Sequence, residues 1–314
     1  MKKIAISIGD LNGIGIQLAL ENHHEISKIA DPIYCIDDEM LKQATEMLKL
    51  SIPDNFQTLE NIAPYFDIEP GVISKESGKY AYASFNKAVI MADLKKVDAI
   101  CTLPIHKKAW ELADVHYKGH TDALRDFFDA DAIMMLGCDA MYVALFTEHI
   151  PLKEVAGSIE EKKLTKFLLD FYKTVKPEKT VAVLGLNPHA GDNGVLGDEE
   201  KIISKSIQNA EEILKQQFPS LFTIHYPLFT IPMVPDVAFT PNVRKNYSHY
   251  IAMYHDQGLA PLKALYFDEG INVSLNLPIL RTSVDHGTAF DIAYKNVELN
   301  SLSYINAIKY IVNT

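Results

Sequence analysis

Short apolar runs alternate with amphipathic helical stretches along almost the whole chain, and that alternation leaves few architectures open. Strands are expected at Ile4–Ile8, Pro32–Ile36, Ala99–Leu103, Ala132–Leu136, Tyr142–Thr147, Thr180–Leu186, Tyr250–Tyr254 and Ile271–Leu275. Between them, Lys79–Lys96, Glu160–Val175 and Glu199–Phe218 carry apolar residues three and four apart, the helical period. Strands separated by such helices predict a largely parallel sheet with helices on both faces. The 314 residues suit one large or two medium α/β domains. The stretch 219–241, with five prolines at 219, 227, 232, 235 and 241, reads as a long surface loop.

No apolar run approaches the ~20 residues of a membrane span. The opening MKKIAISIGD lacks the apolar region and cleavage site of a signal peptide. Cys35, Cys101 and Cys138 are too few and too scattered for a disulfide framework or a CxxC metal site. Each lies in apolar sequence, so buried free thiols and a cytoplasmic protein are expected. A net charge of −11 with no basic stripe argues against nucleic acid and anionic membrane as partners. An anionic small substrate needs only a few cations gathered locally.

Of the 11 histidines, three share one setting. MYVALFTEH ends an alternating strand at His149, TVAVLGLNPHAG runs a strand into a turn at His189, and YIAMYHDQG carries His255 and Asp256. Ligands of open parallel sheets bind outside the carboxyl ends of the strands. Three neutral imidazoles delivered there suit a borderline divalent metal with open positions. His23, His24, His225 and His249 lack that context and are read as core or surface residues; His106, His116 and His286 lie near other motifs.

Lys263, Asn272 and Arg281 surround the expected strand Ile271–Leu275 in otherwise uncharged, apolar sequence, INVSLNLPILRTSV. An arginine binds phosphate bidentately, a lysine adds a point charge and an asparagine an amide donor. Gly119-His120-Thr121-Asp122 opens a helix, where exposed N–H groups and the dipole favour an anion; Thr121 also suits the N-cap. The loop GDLNGIG after the first strand does not spell G-x-G-x-x-G, and no Walker lysine follows it.

Taken together, GDLNGIG, GHTD at 119–122, TEHIPL at 147–152, GLNPHAGDNG at 185–194, MYHDQG at 253–258 and INVSLNLPILRTSVDHGTAFDIA at 271–293 resemble the 4-hydroxythreonine-4-phosphate dehydrogenase family of pyridoxal phosphate biosynthesis. The blocks occur in family order, and a family-like helix, Ile305–Asn313, ends the chain. The departures are GHTD for the more usual GHTE and an atypical stretch between Gly194 and Pro241. The resemblance implies an α/β/α fold like that of isocitrate and isopropylmalate dehydrogenases, with two subdomains flanking a cleft. Residues 1–121 and 284–314 would form the cofactor side, and 122–283 would carry metal, substrate and dimer contacts. It implies a divalent metal (zinc, cobalt or magnesium) on His149, His189 and His255, and phosphorylated substrate on His120, Thr121, Lys263, Asn272 and Arg281. HGTAFDIA is similar to the adenosine-side loop of those dehydrogenases, with Phe290 where a proline usually stands. NAD or NADP is therefore expected near Gly9, Asp10, Gly13, Asp285, His286, Gly287, Thr288 and Asp291. A homodimer is implied in which each cleft is completed by the partner, with His255 a residue that the other subunit can supply.

The reaction so implied oxidises 4-phosphooxy-L-threonine at C3 to 2-amino-3-oxo-4-phosphooxybutanoate, which decarboxylates to 3-amino-2-oxopropyl phosphate. A metal acts there as a Lewis acid on the hydroxyl that gives hydride to NAD. Asp256 and Lys107 are the candidate bases. A sister dehydrogenase for phosphorylated threonate or erythronate would use the same machinery. A phosphate acyltransferase needs neither the three histidines nor HGTAFDIA, and a three-histidine metallohydrolase leaves the anion series without a role.

Overall fold

The computed structural model describes residues 1–219 and 226–314, so His225 and part of the 219–241 stretch lie outside the described residues. The chain divides into two compact units, 1–132 with 268–314, and 133–267. In the first, β1 (Lys3–Ser7), β2 (Asp31–Cys35), β3 (Gln57–Thr58) and β4 (Ala99–Thr102) are parallel. In the second lie β5 (Ile133–Cys138), β6 (Met141–Leu145), β7 (Ala182–Val183) and β8 (His249–Ala252). The chain then returns to the first unit with β9 (Ile271–Leu275) and β10 (Leu280–Val284). The order is β3-β2-β1-β4-β10-β9 in the first unit and β5-β6-β8-β7 in the second.

The architecture is mixed α/β, as the alternation predicts, but the sheet is less parallel than expected. β9 and β10 form an antiparallel hairpin, as do β5 and β6, whereas β10 runs parallel to β4 and β6 and β7 run parallel to β8. The strand after β9 escapes the apolar pattern, and it moves the later of the two expected domain boundaries. Because β10 pairs with β4 and β9 with β10, residues 271–283 belong to the first unit, and so does the helix His120–Phe128. The expected strand Thr180–Leu186 shortens to β7, extended by bridges from Val181 to Phe229 and Leu184 to Met233. Those bridges and short helices at Pro235–Ala238 and Pro241–Arg244 give the later part of the expected loop structure of its own.

Parallel strands buried on both faces read as continuous apolar sequence, and β1, β4 and β6 are buried along nearly their whole length. The helix Lys75–Asp93 starts where Ser74 accepts from the backbone N–H of Ser77, a cap worth about 1 kcal/mol. Its buried face includes Tyr80, Phe85 and Val89, and the Tyr80 hydroxyl donates to Asp37 at 2.7 Å. In the second unit, Leu259 and Leu262 of the helix His255–Tyr266 join Val143, Leu145 and Tyr250 in one core. Cys35, Cys101 and Cys138 are buried free thiols. Among the described residues no helix is long and apolar enough to cross a membrane.

Candidate active site

Strand register in the first unit brings three chain segments to one edge: Ser7 of β1 pairs with Thr102 of β4, and Thr102 with Ser283 of β10. Arg281, on β10, is 2% exposed. Among the described residues its guanidinium meets only neutral oxygens. Thr102 Oγ1 accepts from Nε at 3.2 Å and from Nη2 at 2.7 Å. Nη1 donates to Ser274 Oγ at 3.1 Å and Asn272 Oδ1 at 3.4 Å. Burial lowers its pKa to about 10, so it stays charged at neutral pH. A buried cation without a paired anion is costly.

Beside it stand His120 and Thr121. Thr121 Oγ1 lies 3.3 Å from Ser274 Oγ. Gly119, not Thr121, occupies the N-cap position, so Thr121 is a first-turn residue. The His120 ring packs against Phe85 and Trp110, with centroids 4.9 and 5.4 Å away, and its buried Nε2 has no hydrogen-bond partner. Burial, and then the Arg281 charge, hold its pKa well below the ordinary imidazole value. The ring is therefore neutral at physiological pH, and its unused nitrogen can donate to an anion. His120, Thr121, Asn272 and Arg281 thus share one unit, while Lys263 belongs to the other, on the helix His255–Tyr266 with its ammonium 5.8 Å from the Phe267 ring centroid. Thr102 and Ser274 are absent from the sequence expectation.

The two predicted cofactor segments meet. Ile14 N donates to Thr288 O at 3.1 Å, and a Cβ on Gly13 would stand 2.8 Å from that same carbonyl. Gly9 has φ +74° and approaches Pro104 so closely that a Cβ would lie 2.2 Å from its carbonyl oxygen. These glycines serve close packing of the loop. Asn12 ties it further, accepting from Glu69 N on Oδ1 and donating to Val72 O from Nδ2. Asp285 N donates to Ser303 Oγ, and His286 is half-buried with Nδ1 against Gly287 O and Nε2 without a partner. Gly287 and Asp291 are exposed and Thr288 is buried. His106 stacks on Phe290, centroids 4.9 Å apart. The candidate base Lys107 is exposed at the start of the helix Lys107–Leu112.

Asp10 is buried, accepting from Asn12 N at 3.0 Å and Ser77 Oγ at 3.3 Å. Burial pushes its pKa from 3.8 up to about 6, against those two hydrogen bonds. From about pH 4 to 6 the folded protein keeps a proton that the unfolded chain has lost. This contribution to stability is full below that window and is lost as pH rises through it. Asp10→Asn should therefore be more stable than the parent above pH ~6, by on the order of 2–3 kcal/mol, with the advantage shrinking toward pH ~4. Thermal melts across that range test this; parallel profiles would remove the assignment.

In the second unit, strand pairing explains the histidine placement. β6 and β8 are parallel neighbours, and the pairing continues past their ends: Phe146 N donates to Ala252 O and Thr147 N to Met253 O. His149 and His255 emerge side by side, ring centroids 5.7 Å apart. Asp256 Oδ1 lies 2.7 Å from His255 Nδ1; a carboxylate so placed fixes a ring's tautomer and leaves Nε2 as the donor to a metal. His189 follows β7, parallel to β8, through the segment Pro188–Gly194. From His189 to Gly194 every residue has positive φ, between 42° and 94°. The turn leading into this left-handed run is braced by buried Glu200, which accepts from Leu186 N and Asn187 N at 2.8 and 2.7 Å. Among the described residues no group of three or more His, Cys, Asp or Glu comes together to hold a metal. The imidazole pair with its carboxylate fits part of a divalent-metal donor set; a third ligand must join it.

The family model described as Pyridoxal phosphate biosynthetic protein PdxA matches residues 28–311. The 4-hydroxythreonine-4-phosphate dehydrogenase of Sulfurimonas denitrificans is 58% identical over 307 residues, 98% of this chain and 96% of that protein. Its Campylobacter fetus counterpart is 50% identical over 313 residues, covering 99% and 98%. The crystal structure of a 4-hydroxythreonine-4-phosphate dehydrogenase from Burkholderia phymatum is similar at a TM-score of 0.79 and 29% identity, covering 99% of this chain and 98% of that one.

Proposed function

Because the chain belongs to the PdxA family of pyridoxal phosphate biosynthetic proteins, we propose that it oxidises 4-phosphooxy-L-threonine at C3 with NAD or NADP and a divalent metal. The observation that carries the reading is Arg281, a buried cation held, among the described residues, only by neutral oxygens. A phosphate ester supplies the missing negative charge. Neutral His120 donates to it from Nε2, and Thr121, Asn272 and Lys263 add further donors. These contacts lie at the non-reacting end of the substrate, so their binding energy orients C3 for hydride transfer.

His149, His189 and His255 would hold the metal, which supplies Lewis acidity at the C3 hydroxyl while NAD accepts hydride. Asp256 keeps the His255 ring in one tautomer, and Asp256 or Lys107 takes the hydroxyl proton. The ketone product loses its carboxylate as carbon dioxide to give 3-amino-2-oxopropyl phosphate. The unit of residues 1–132 and 268–314 receives NAD beside Thr288 and the first glycine loop, and the active form is a homodimer in the cytoplasm.

Purified protein, NAD and a divalent ion should produce NADH with 4-phosphooxy-L-threonine, faster than with phosphorylated threonate or erythronate. Unphosphorylated 4-hydroxythreonine should give little turnover. Equal rates with and without the phosphate, or no NADH at verified metal content, would overturn the reading.

A further inference from the structure

An arginine buried for stability is normally paired with a carboxylate, which docks bidentately on the Nε–Nη2 edge. In this protein that edge meets one hydroxyl, Thr102 Oγ1, which accepts from both nitrogens. Thr102 is 0% exposed, and its backbone carbonyl accepts from Ser283 Oγ at 3.0 Å. The side chain is thereby fixed at the end of β4, next to β10. On the other side Ser274 and Asn272 are also uncharged. The guanidinium is oriented on both edges without being neutralised on either.

We infer that Thr102 is a positioning and specificity-determining residue: it aims Arg281 with an uncharged acceptor, reserving the positive charge for a phosphate ester. A carboxylate at 102 would satisfy Arg281 internally, and substrate would then have to displace an ion pair. The present arrangement leaves the free protein with a buried, uncompensated charge, and a bound phosphate removes that cost. Phosphate should therefore stabilise the fold, and substrates lacking it should gain little from the site. Thr102 acts through Arg281 and does not itself touch the reacting atoms. The inference rests on the reading that Arg281 receives the substrate phosphate.

The test compares Thr102→Ser, Thr102→Val and Thr102→Asp in the full chain, with Arg281→Met as the control for that reading. The measurements are KM for 4-phosphooxy-L-threonine, KM for NAD, and the melting temperature with and without inorganic phosphate. Loss of a hydrogen bond to a charged group predicts that Thr102→Val raises KM for the phosphorylated substrate about 10- to 100-fold. KM for NAD stays unchanged, and Thr102→Ser restores most of the loss. Thr102→Asp, close to threonine in volume, abolishes the phosphate-induced rise in melting temperature and leaves the ligand-free melting temperature at or above that of the parent.

A Thr102→Asp protein that still binds phosphate normally, or a Thr102→Val protein in which both KM values rise together, overturns the inference. If Thr102→Asp does not fold, the two KM values of Thr102→Val decide alone. If Arg281→Met keeps its substrate KM, the phosphate reading fails instead, which separates the two failures.

Discussion

Arg281→Met should reduce kcat/KM for 4-phosphooxy-L-threonine by about 30-fold to several thousand-fold, because removing one partner of a buried charged contact costs about 2–5 kcal/mol. Melting temperature should not fall in parallel. Methionine fills similar space, and the variant no longer carries the cost of a buried cation in the free protein. Three acceptors, Thr102, Ser274 and Asn272, lose their donor, which offsets part of the gain. Arg281→Lys should recover little activity, since an ammonium cannot reproduce the planar fork that engages two edges at once. Steady-state kinetics and thermal melts of the same preparations check both halves. A variant whose melting temperature falls while its kcat/KM for the substrate is kept would reassign Arg281 to the core.

The second large effect concerns the imidazoles. His149→Ala, His189→Ala and His255→Ala should each lose bound divalent ion, with turnover falling on the order of 10³-fold or more, as expected when a Lewis acid worth several kcal/mol is removed. Metal content per protomer is read by elemental analysis and folding by circular dichroism, so the two losses are measured independently. Asp256→Asn should be milder, with metal affinity down about 10- to 100-fold through a less well-oriented His255 ring. Retained metal and turnover in His189→Ala would leave only the adjacent pair, His149 and His255, in the site.

The sequence reading succeeded where the signal is local. β9 is read to the residue, Ile271–Leu275, because apolar Ile271, Val273 and Leu275 alternate with polar Asn272 and Ser274, the period of a strand. β10 escaped because its middle is Arg281, Thr282 and Ser283, polar residues that pattern reading places on a surface. All three are buried, Thr282 Oγ1 donating to Ala307 O and Ser283 Oγ to Thr102 O, so tertiary contacts satisfy what the local pattern counts as exposed. The helix His255–Tyr266 was hidden by Gly258 and Pro261, poor helix residues, although Gly258 is what lets the helix approach Val143. Strand-end histidines were legible because each sits in a recognisable local frame. Thr102 was not, since its meaning lies in an arginine 179 residues away.

The left-handed segment from His189 to Gly194 has a kinetic consequence. Four of its residues are not glycine, and each stands in a conformation costing roughly 1–2 kcal/mol, less for Asp and Asn. A chain of L-residues wound against its preferred hand has no gradual route back. The φ angles are expected to reverse together, releasing the amides of Leu186 and Asn187 from Glu200 at the start of the segment. Opening of this loop is therefore expected to be concerted, with the His189 imidazole moving along with the whole segment. Amide exchange along 186–196 should report one shared opening rate for the whole segment, in place of the graded fraying typical of surface loops.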